Sequence, residues 1–292
     1  MSETDTAEQA ETFFGDKPYQ QKARAALPLL IRQAKAQHTI YYSDLAVELG
    51  MPNPRNLNYV LGSVGQSILQ LGRERGEEIP PIQCIVVNQA DGLPGEGVGF
   101  FVSKDEYKAM SKRQRRIVVE AQLQKIFGYT KWDSVLSAFS MQPATSDFSK
   151  IVRRSAASGR DGGESEHHKQ LKEYVASHPN IIGLPTSVAH VVNEYVLPSG
   201  DELDVLFREG DEWIGVEVKS HISGDDDLIR GFFQCVKYHA VLEAFLLSTG
   251  RTPNVRTVLV ITRKLPAELV PLKNLLGVEV IQTEVQPAFE AL

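Results

Sequence analysis

Three residues in the second half of the chain have the types and spacing for phosphate chemistry: Asp204, Glu217 and Lys219. "WIGVEVKSHI", Trp213 to Ile222, reads as a buried strand, because Trp, Ile and Val are strand formers. Glu217 and Lys219 stand two apart in it. They therefore share one face while Val216 and Val218 point the other way. "ELDVLF" upstream reads as the partner strand. A hairpin symmetric about Gly210-Asp211 sets Phe207 opposite Ile214, Val205 opposite Val216 and Asp204 opposite Glu217. Two facing carboxylates repel each other, and a partly buried ionised pair asks for a cation. A divalent ion with oxygen ligands meets that demand, since Mg²⁺ takes one or two carboxylates plus waters and phosphate oxygens. Lys219, on the same face, then acts on the attacking water or on the charge at phosphorus. In-line attack of a metal-activated hydroxide on phosphate is the plainest chemistry these groups support. The same spacing also fits a Glu217–Lys219 surface pair on an edge strand.

Several elements must position these residues. "ESEHHKQLKEYVASHPNIIGL" reads as a helix that stops before Pro179, and "VVNEYVLPSGDELDVLF" as two strands around Pro198-Ser199-Gly200. "DDDLIRGFFQCVKYHAVLEAFLLS" is a long helix whose three leading acids suit the positive end of its dipole. "TVLVIT" and "VEVIQ" are further buried strands. The order α-β-β-β-α-β-β predicts a mixed sheet with helices packed on it. On the first of these helices, Glu164, His168, Leu171 and Val175 share the stripe that faces the sheet, whereas Glu166 aligns with Gln170 and Glu173 on a polar stripe. His168 fits a plain hydrogen-bonding role on the helix face as well as a functional one.

This constellation resembles the PD-(D/E)XK nuclease superfamily. The match is Asp204, twelve residues, then Glu217-Val218-Lys219, on the second and third strands of an α-β-β-β-α-β core. Gln234 and Tyr238 on the following helix are similar to the Q-x-x-x-Y of many relatives, and the leading Pro of the motif is Leu203 here. The resemblance covers 164–292 and implies a restriction-endonuclease-like α+β fold. It implies Mg²⁺, with Mn²⁺ as substitute, held by Asp204, Glu217 and the carbonyl of Val218. Lys219 is then catalytic, Glu164 is a further acid, and Gln234 positions Lys219 or the substrate. DNA is the implied partner and endonucleolytic cleavage the implied activity. A homodimer is expected, because cutting two strands needs two sites.

The first half reads differently. Residues 1–16 are acidic and predicted to be disordered, 17–142 form a mainly helical module, and 143–163 form a Ser/Ala/Gly/Arg-rich linker. "PPIQCIVVNQADGLPGEGVGFFV" predicts two short strands around an Asp91-Gly92 turn, which after helices suggests a winged-helix-like module. "TIYYSDLAVELGMPNPR" and "IPPIQCIVV" resemble the winged-helix DNA-binding part of alkylguanine DNA alkyltransferases and alkyltransferase-like proteins. Ile82 takes the acceptor-cysteine position, Gln83 the histidine position and Cys84 the arginine position. A thiolate acceptor needs an activating base. No His lies near Cys84 in sequence, so alkyl transfer is not expected. The resemblance implies DNA contact through the 53–66 helix, with Arg55, Asn56 and Tyr59 as candidates. Arg113 and Arg116 join them from the basic stretch 104–125. A helical protein-interaction module is the alternative.

Composition is compatible with both halves. Of 292 residues, 42% are hydrophobic and 23% charged, as in soluble globular proteins. No apolar run approaches the ~20 residues that cross a bilayer, and the N-terminus has no apolar signal segment, so a cytoplasmic protein is expected. Two cysteines provide no disulfide framework. The net charge of −6 owes five acids to residues 1–16, so the rest of the chain is near neutral with a basic middle.

Overall fold

Helical apolar spacing builds the first unit. In α1 (Pro18–Lys35) the buried residues Ala23, Ala26, Leu27, Leu30, Ile31 and Ala34 recur every three or four positions. A two-residue strand β1 (Ile40–Tyr41), α2 (Tyr42–Glu48) and a 3₁₀ turn Pro54–Asn56 lead into α3 (Leu57–Arg75). α3 ends at Gly76, whose left-handed φ of 62° closes the helix. The computed structural model describes residues 9–145, 147–157, 165–188 and 190–284, and the chain divides into two units, Met1–Ser146 and Asp147–Leu292.

Two expectations for this unit are corrected. The first concerns the acidic leader. Phe13 lies fully buried in the core with α1 and α3 residues. Its N–H donates to Ser67 Oγ at 3.0 Å, and Gln20 Nε2 donates to Thr12 O at 2.5 Å. Residues 10–16 are thus anchored, and one aromatic side chain outweighs the acidic composition around it; residues 1–8 lie outside the described residues. The second concerns the expected hairpin. Ile82–Ile85 wind into a 3₁₀ turn, and β2 (Val86–Val87) pairs in parallel with β1. The Asp91-Gly92 turn forms, with Asn88 N–H donating to Leu93 O at 2.9 Å, but the chain then enters a 3₁₀ segment, Glu96–Phe100. A run buried on every side, Ile82 to Val87, has no period from which strand and helix can be told apart. The unit finishes with α4 (Lys104–Ala109), α5 (Lys112–Gly128) and α6 (Trp132–Ala138).

The second unit is a five-stranded mixed sheet with helices on both faces. It opens with α7 (Ser149–Ala157) and α8 (Glu166–Ser177), followed by β3 (His190–Val196), β4 (Glu202–Glu209) and β5 (Glu212–Lys219). Then come α9 (Asp225–Ser248), β6 (Val255–Ile261), α10 (Val270–Leu275) and β7 (Glu279–Gln282). Strand order is β3-β4-β5-β6-β7; the β3–β4 and β4–β5 pairs are antiparallel, the β5–β6 and β6–β7 pairs parallel. α10 supplies the crossover that a parallel β6–β7 pair requires. α7 falls within the expected linker; it packs against α9 instead, its Ser155 Oγ donating to Asp226 O at 2.8 Å. β5 is central, which explains its nearly continuous apolar run. Val205, Phe207, Ile214, Val216 and Val218 pack with Leu171 and Val175 of α8. Leu206 and Trp213 pack with Tyr238, Leu242 and Leu246 of α9. Among the described residues no helix is long and apolar enough to cross a membrane.

Candidate active site

The site sits where β4 departs from regular pairing. The β4–β5 ladder holds Phe207 opposite Ile214 and Val205 opposite Val216, as expected, and ends there. On the other side, β3 pairs Asn193 with Val205 and Tyr195 with Leu203 but leaves out Glu194 and Asp204. Glu194 has φ of 54°, a left-handed conformation that costs a non-glycine residue on the order of 1 kcal/mol or more. Leu203 and Val205 would share a face in a regular strand. Here Leu203 packs with the α9 cluster and Val205 with the α8 cluster, so β4 rotates at Asp204. Gly215 makes room for this: a Cβ there would stand 2.8 Å from Leu203 Cδ1.

The rotation turns the Asp204 carboxylate toward β5 and α8. Val218 N–H donates to Asp204 Oδ2 at 2.8 Å, and His168 Nε2 lies 3.1 Å from Oδ1. In an extended strand the N–H and C=O of one residue point to the same edge, so the Val218 carbonyl also points toward β4. Lys219 O, alternating with it, accepts from Thr262 N on the β6 side. Asp204 holds the pKa of His168 above its ordinary value, chiefly through this hydrogen bond and against the effect of burial.

Glu217 is 3% exposed and ion-paired through Oε1 to Lys219 Nζ. Burial pushes its pKa up to about 7, and the charge of Asp204 pushes the same way; Lys219 and His168 pull it back. Lys219's stem passes close to α9 at Gly231, where a Cβ would lie 3.4 Å from Lys219 Cε and 2.9 Å from Leu259 Cδ1. A glycine at that point lets the helix sit down on β5 and β6.

Beyond Lys219 opens a cleft of ≈520 Å³ between α7 and α9. Gln234 lines it but does not hold Lys219, as one expectation had it. Its Nε2 donates to Tyr238 Oη at 3.1 Å, and Tyr238 Oη donates to Glu202 O at 3.1 Å. This relay ties α9 to β4 two residues before Asp204. Tyr238→Phe is expected to cost about 1 kcal/mol. A lower denaturant midpoint at unchanged slope would report it, and an unchanged midpoint would remove the relay from the stability of the site.

Asp204, Glu217, Val218 and Lys219 are therefore brought together, with Gln234 on the adjoining wall. Glu164 lies outside the described residues. Glu166 is exposed and accepts from Gln170 Nε2 at 3.1 Å, as its polar stripe predicts. His168 is tied to the site by contact, an outcome its helical stripe allowed without deciding. Lys172 and Glu194 had no signal in sequence; their 2.5 Å ion pair joins α8 to the left-handed residue beside Asp204. In the first unit, Arg55 and Asn56 are exposed at the turn that opens α3, and Tyr59 stands one helical turn on, 5.7 Å from the Tyr19 ring. Arg113 and Arg116 are exposed on one face of α5. Cys84 is buried, its Sγ 3.3 Å from Gly97 O, and burial raises its pKa far beyond the range in which a thiolate forms.

No family model matches the chain, and neither does any curated protein or solved structure. Function must therefore be argued from the site.

The donor set can be tested against a divalent cation. Among the described residues no group of three or more His, Cys, Asp and Glu side chains is arranged to hold a metal. Mg²⁺ does not require one, because it is commonly held by one or two carboxylates with water completing the shell. A buried carboxylate, Glu217, whose proton affinity burial and the nearby Asp204 both raise, lies beside a second carboxylate and a strand carbonyl turned to the same edge, and all three are hard oxygen donors. The residues fit the ion.

Proposed function

We propose that the second unit is a divalent-metal-dependent nuclease of the PD-(D/E)XK class, an endonuclease that hydrolyses DNA phosphodiesters, and that the first unit binds the DNA. The observation that carries this reading is the buried Glu217. Its pKa is driven up to about 7 with Asp204 as a second anion beside it and Lys219 as its paired cation. A structural core gains nothing from that arrangement, since replacing a buried pair with apolar residues is often neutral or stabilising.

Asp204, Glu217 and the Val218 carbonyl are the residues that would hold Mg²⁺ or Mn²⁺. When bound, the ion supplies Lewis-acid stabilisation of the phosphoryl oxygens. His168 and the Val218 N–H fix the Asp204 carboxylate in orientation. Lys219, on the same face as Glu217, would offer its ammonium to the attacking water or to the charge that develops on phosphate. Gln234 and Tyr238 line the cleft beside Lys219.

A second reading has one observation in its favour. Glu217 is already paired with Lys219, and Asp204 with His168 and Val218, so the network is complete as a scaffold for a non-catalytic DNA-binding protein. Incubation of the full chain with plasmid, linear duplex and single-stranded DNA in Mg²⁺ or Mn²⁺, against chelator, separates the two. Metal-dependent strand breaks are expected. Binding that falls steeply with salt, without breaks on any DNA, overturns the nuclease reading in favour of the scaffold.

A further inference from the structure

We propose that the cleft beside Lys219 admits nucleic acid as a single strand, with a base stacked on Phe233, and not as an intact duplex; this rests on the nuclease reading above. Three observations carry it. The first is size. A cleft of ≈520 Å³ falls within the ~300–1,000 Å³ of small-ligand sites. That is room for a nucleotide or two, and none for a double helix.

The second is the wall. α7 closes the side opposite α9 with Val152, Ser155 and Ala156. It is fixed there: Ser155 Oγ donates to Asp226 O, Arg230 Nη1 donates to Ser155 O at 3.2 Å, and Phe148 and Ile151 pack against the core formed by α9, β6 and α10. A duplex entering the cleft would press on this docked helix, whereas a single strand is the narrower fit.

The third is the lining. Phe233 is 39% exposed on α9, an apolar ring offered to the cleft one residue from Gln234. A ring left exposed above a catalytic lysine is a stacking platform of the kind single-strand binders use, tolerant of sequence because every base has a π-face. Lys237 stands one turn further along, paired with Asp201 at 2.7 Å, and Arg230 is paired with Asp227. Both cations can exchange a carboxylate for a phosphate. The strand would lie with its base against Phe233 and its backbone along Arg230, Lys219 and Lys237.

The test uses the full chain. In a Lys219→Ala background, which removes cutting, binding of fluorescein-labelled oligodeoxythymidylate and of a labelled blunt duplex is followed by anisotropy. Phe233→Ala is expected to weaken oligodeoxythymidylate binding about tenfold, with Phe233→Trp restoring it. Ala156→Trp, which fills the cleft from the exposed side of α7, should do the same, and duplex binding should respond to neither. With Lys219 present and Mn²⁺ added, the single strand should be cut faster than the blunt duplex, and Ala156→Trp should suppress that cutting. Restoration by Trp separates loss of stacking from unfolding. Metal-dependent cutting and single-strand binding that ignore both substitutions overturn the cleft assignment and leave the nuclease reading standing. Phe233-dependent binding with no metal-dependent cutting upholds the cleft and overturns the nuclease. Equal cutting of blunt duplex and single strand overturns the cleft assignment as well.

Discussion

Asp204→Asn is expected to reduce metal-dependent DNA cleavage by on the order of 10³-fold, about 4 kcal/mol of transition-state stabilisation, while leaving DNA binding nearly unchanged. The substitution is nearly isosteric, so its effect isolates charge. The Asn oxygen can still accept from Val218 N–H, as Asp204 Oδ2 does at 2.8 Å, and the Asn amide can donate to a neutral His168. The rotation of β4 at this position depends on Glu194 and Gly215 and is preserved. What disappears is one of the two negative charges that make the site attractive to a divalent cation. His168 and Glu217 should both report the loss. His168 should titrate lower, without the carboxylate that raises it, and Glu217 should ionise more readily, without the anion beside it. NMR titration of the His168 ring would show whether the contact survives in solution. Cleavage at the wild-type rate would remove Asp204 from the chemistry.

The grouping of Asp204, Glu217 and Lys219 was legible from sequence because it depends on strand periodicity. Glu217 and Lys219 share a face in any extended conformation, and a short turn at Gly210 fixes their distance from Asp204 along the ladder. What could not be read is how Asp204 reaches Glu217. The sequence pattern puts the two directly opposite. The fold ends the ladder at Val205 and Val216, turns Asp204 out of register and gives its second oxygen to a main-chain N–H. That outcome depends on a left-handed Glu194 in β3, held by Lys172 of α8, and no local pattern in "VVNEYV" announces a positive φ. α7 was hidden for a different reason. Its apolar residues, Ile151 and Val152, are few and lie among Ser, Ala and Arg, so its helical state is decided by docking on α9 and not by propensity. Phe13 was obscured by the acids around it. The consequence is unequal: the missed Phe13 changes only the edge of a core, whereas the missed α7 builds one wall of the cleft beside Lys219.

Lys219→Met should destabilise the protein in a way that grows with pH, reaching about 3 kcal/mol in alkaline solution without divalent metal. The reason lies in Glu217. Its folded pKa is raised from 4.5 to about 7, so between those values the folded state holds a proton that the unfolded state has released. Where the folded state binds more protons, stability falls as pH rises, by up to about 1.4 kcal/mol per pH unit. In the wild type this decline ends near pH 7, because Lys219 stabilises the carboxylate and lets it ionise. Without the lysine the folded pKa moves higher, and the decline continues past the point where the wild type has levelled off. The two proteins should therefore differ little near pH about 6, where Glu217 is largely protonated in both, and diverge toward pH about 9. His168 adds a decline of the same sign, since a histidine raised in the folded state stabilises below its unfolded pKa and loses that contribution as pH passes its folded one. Adding Glu217→Gln to Lys219→Met separates the two, because it removes the carboxylate and leaves the histidine. Denaturant midpoints across this range provide the measurement. A gap of constant size at all pH values would mean that Glu217 is hydrated and ionised throughout, and a hydrated carboxylate has no need of a second cation.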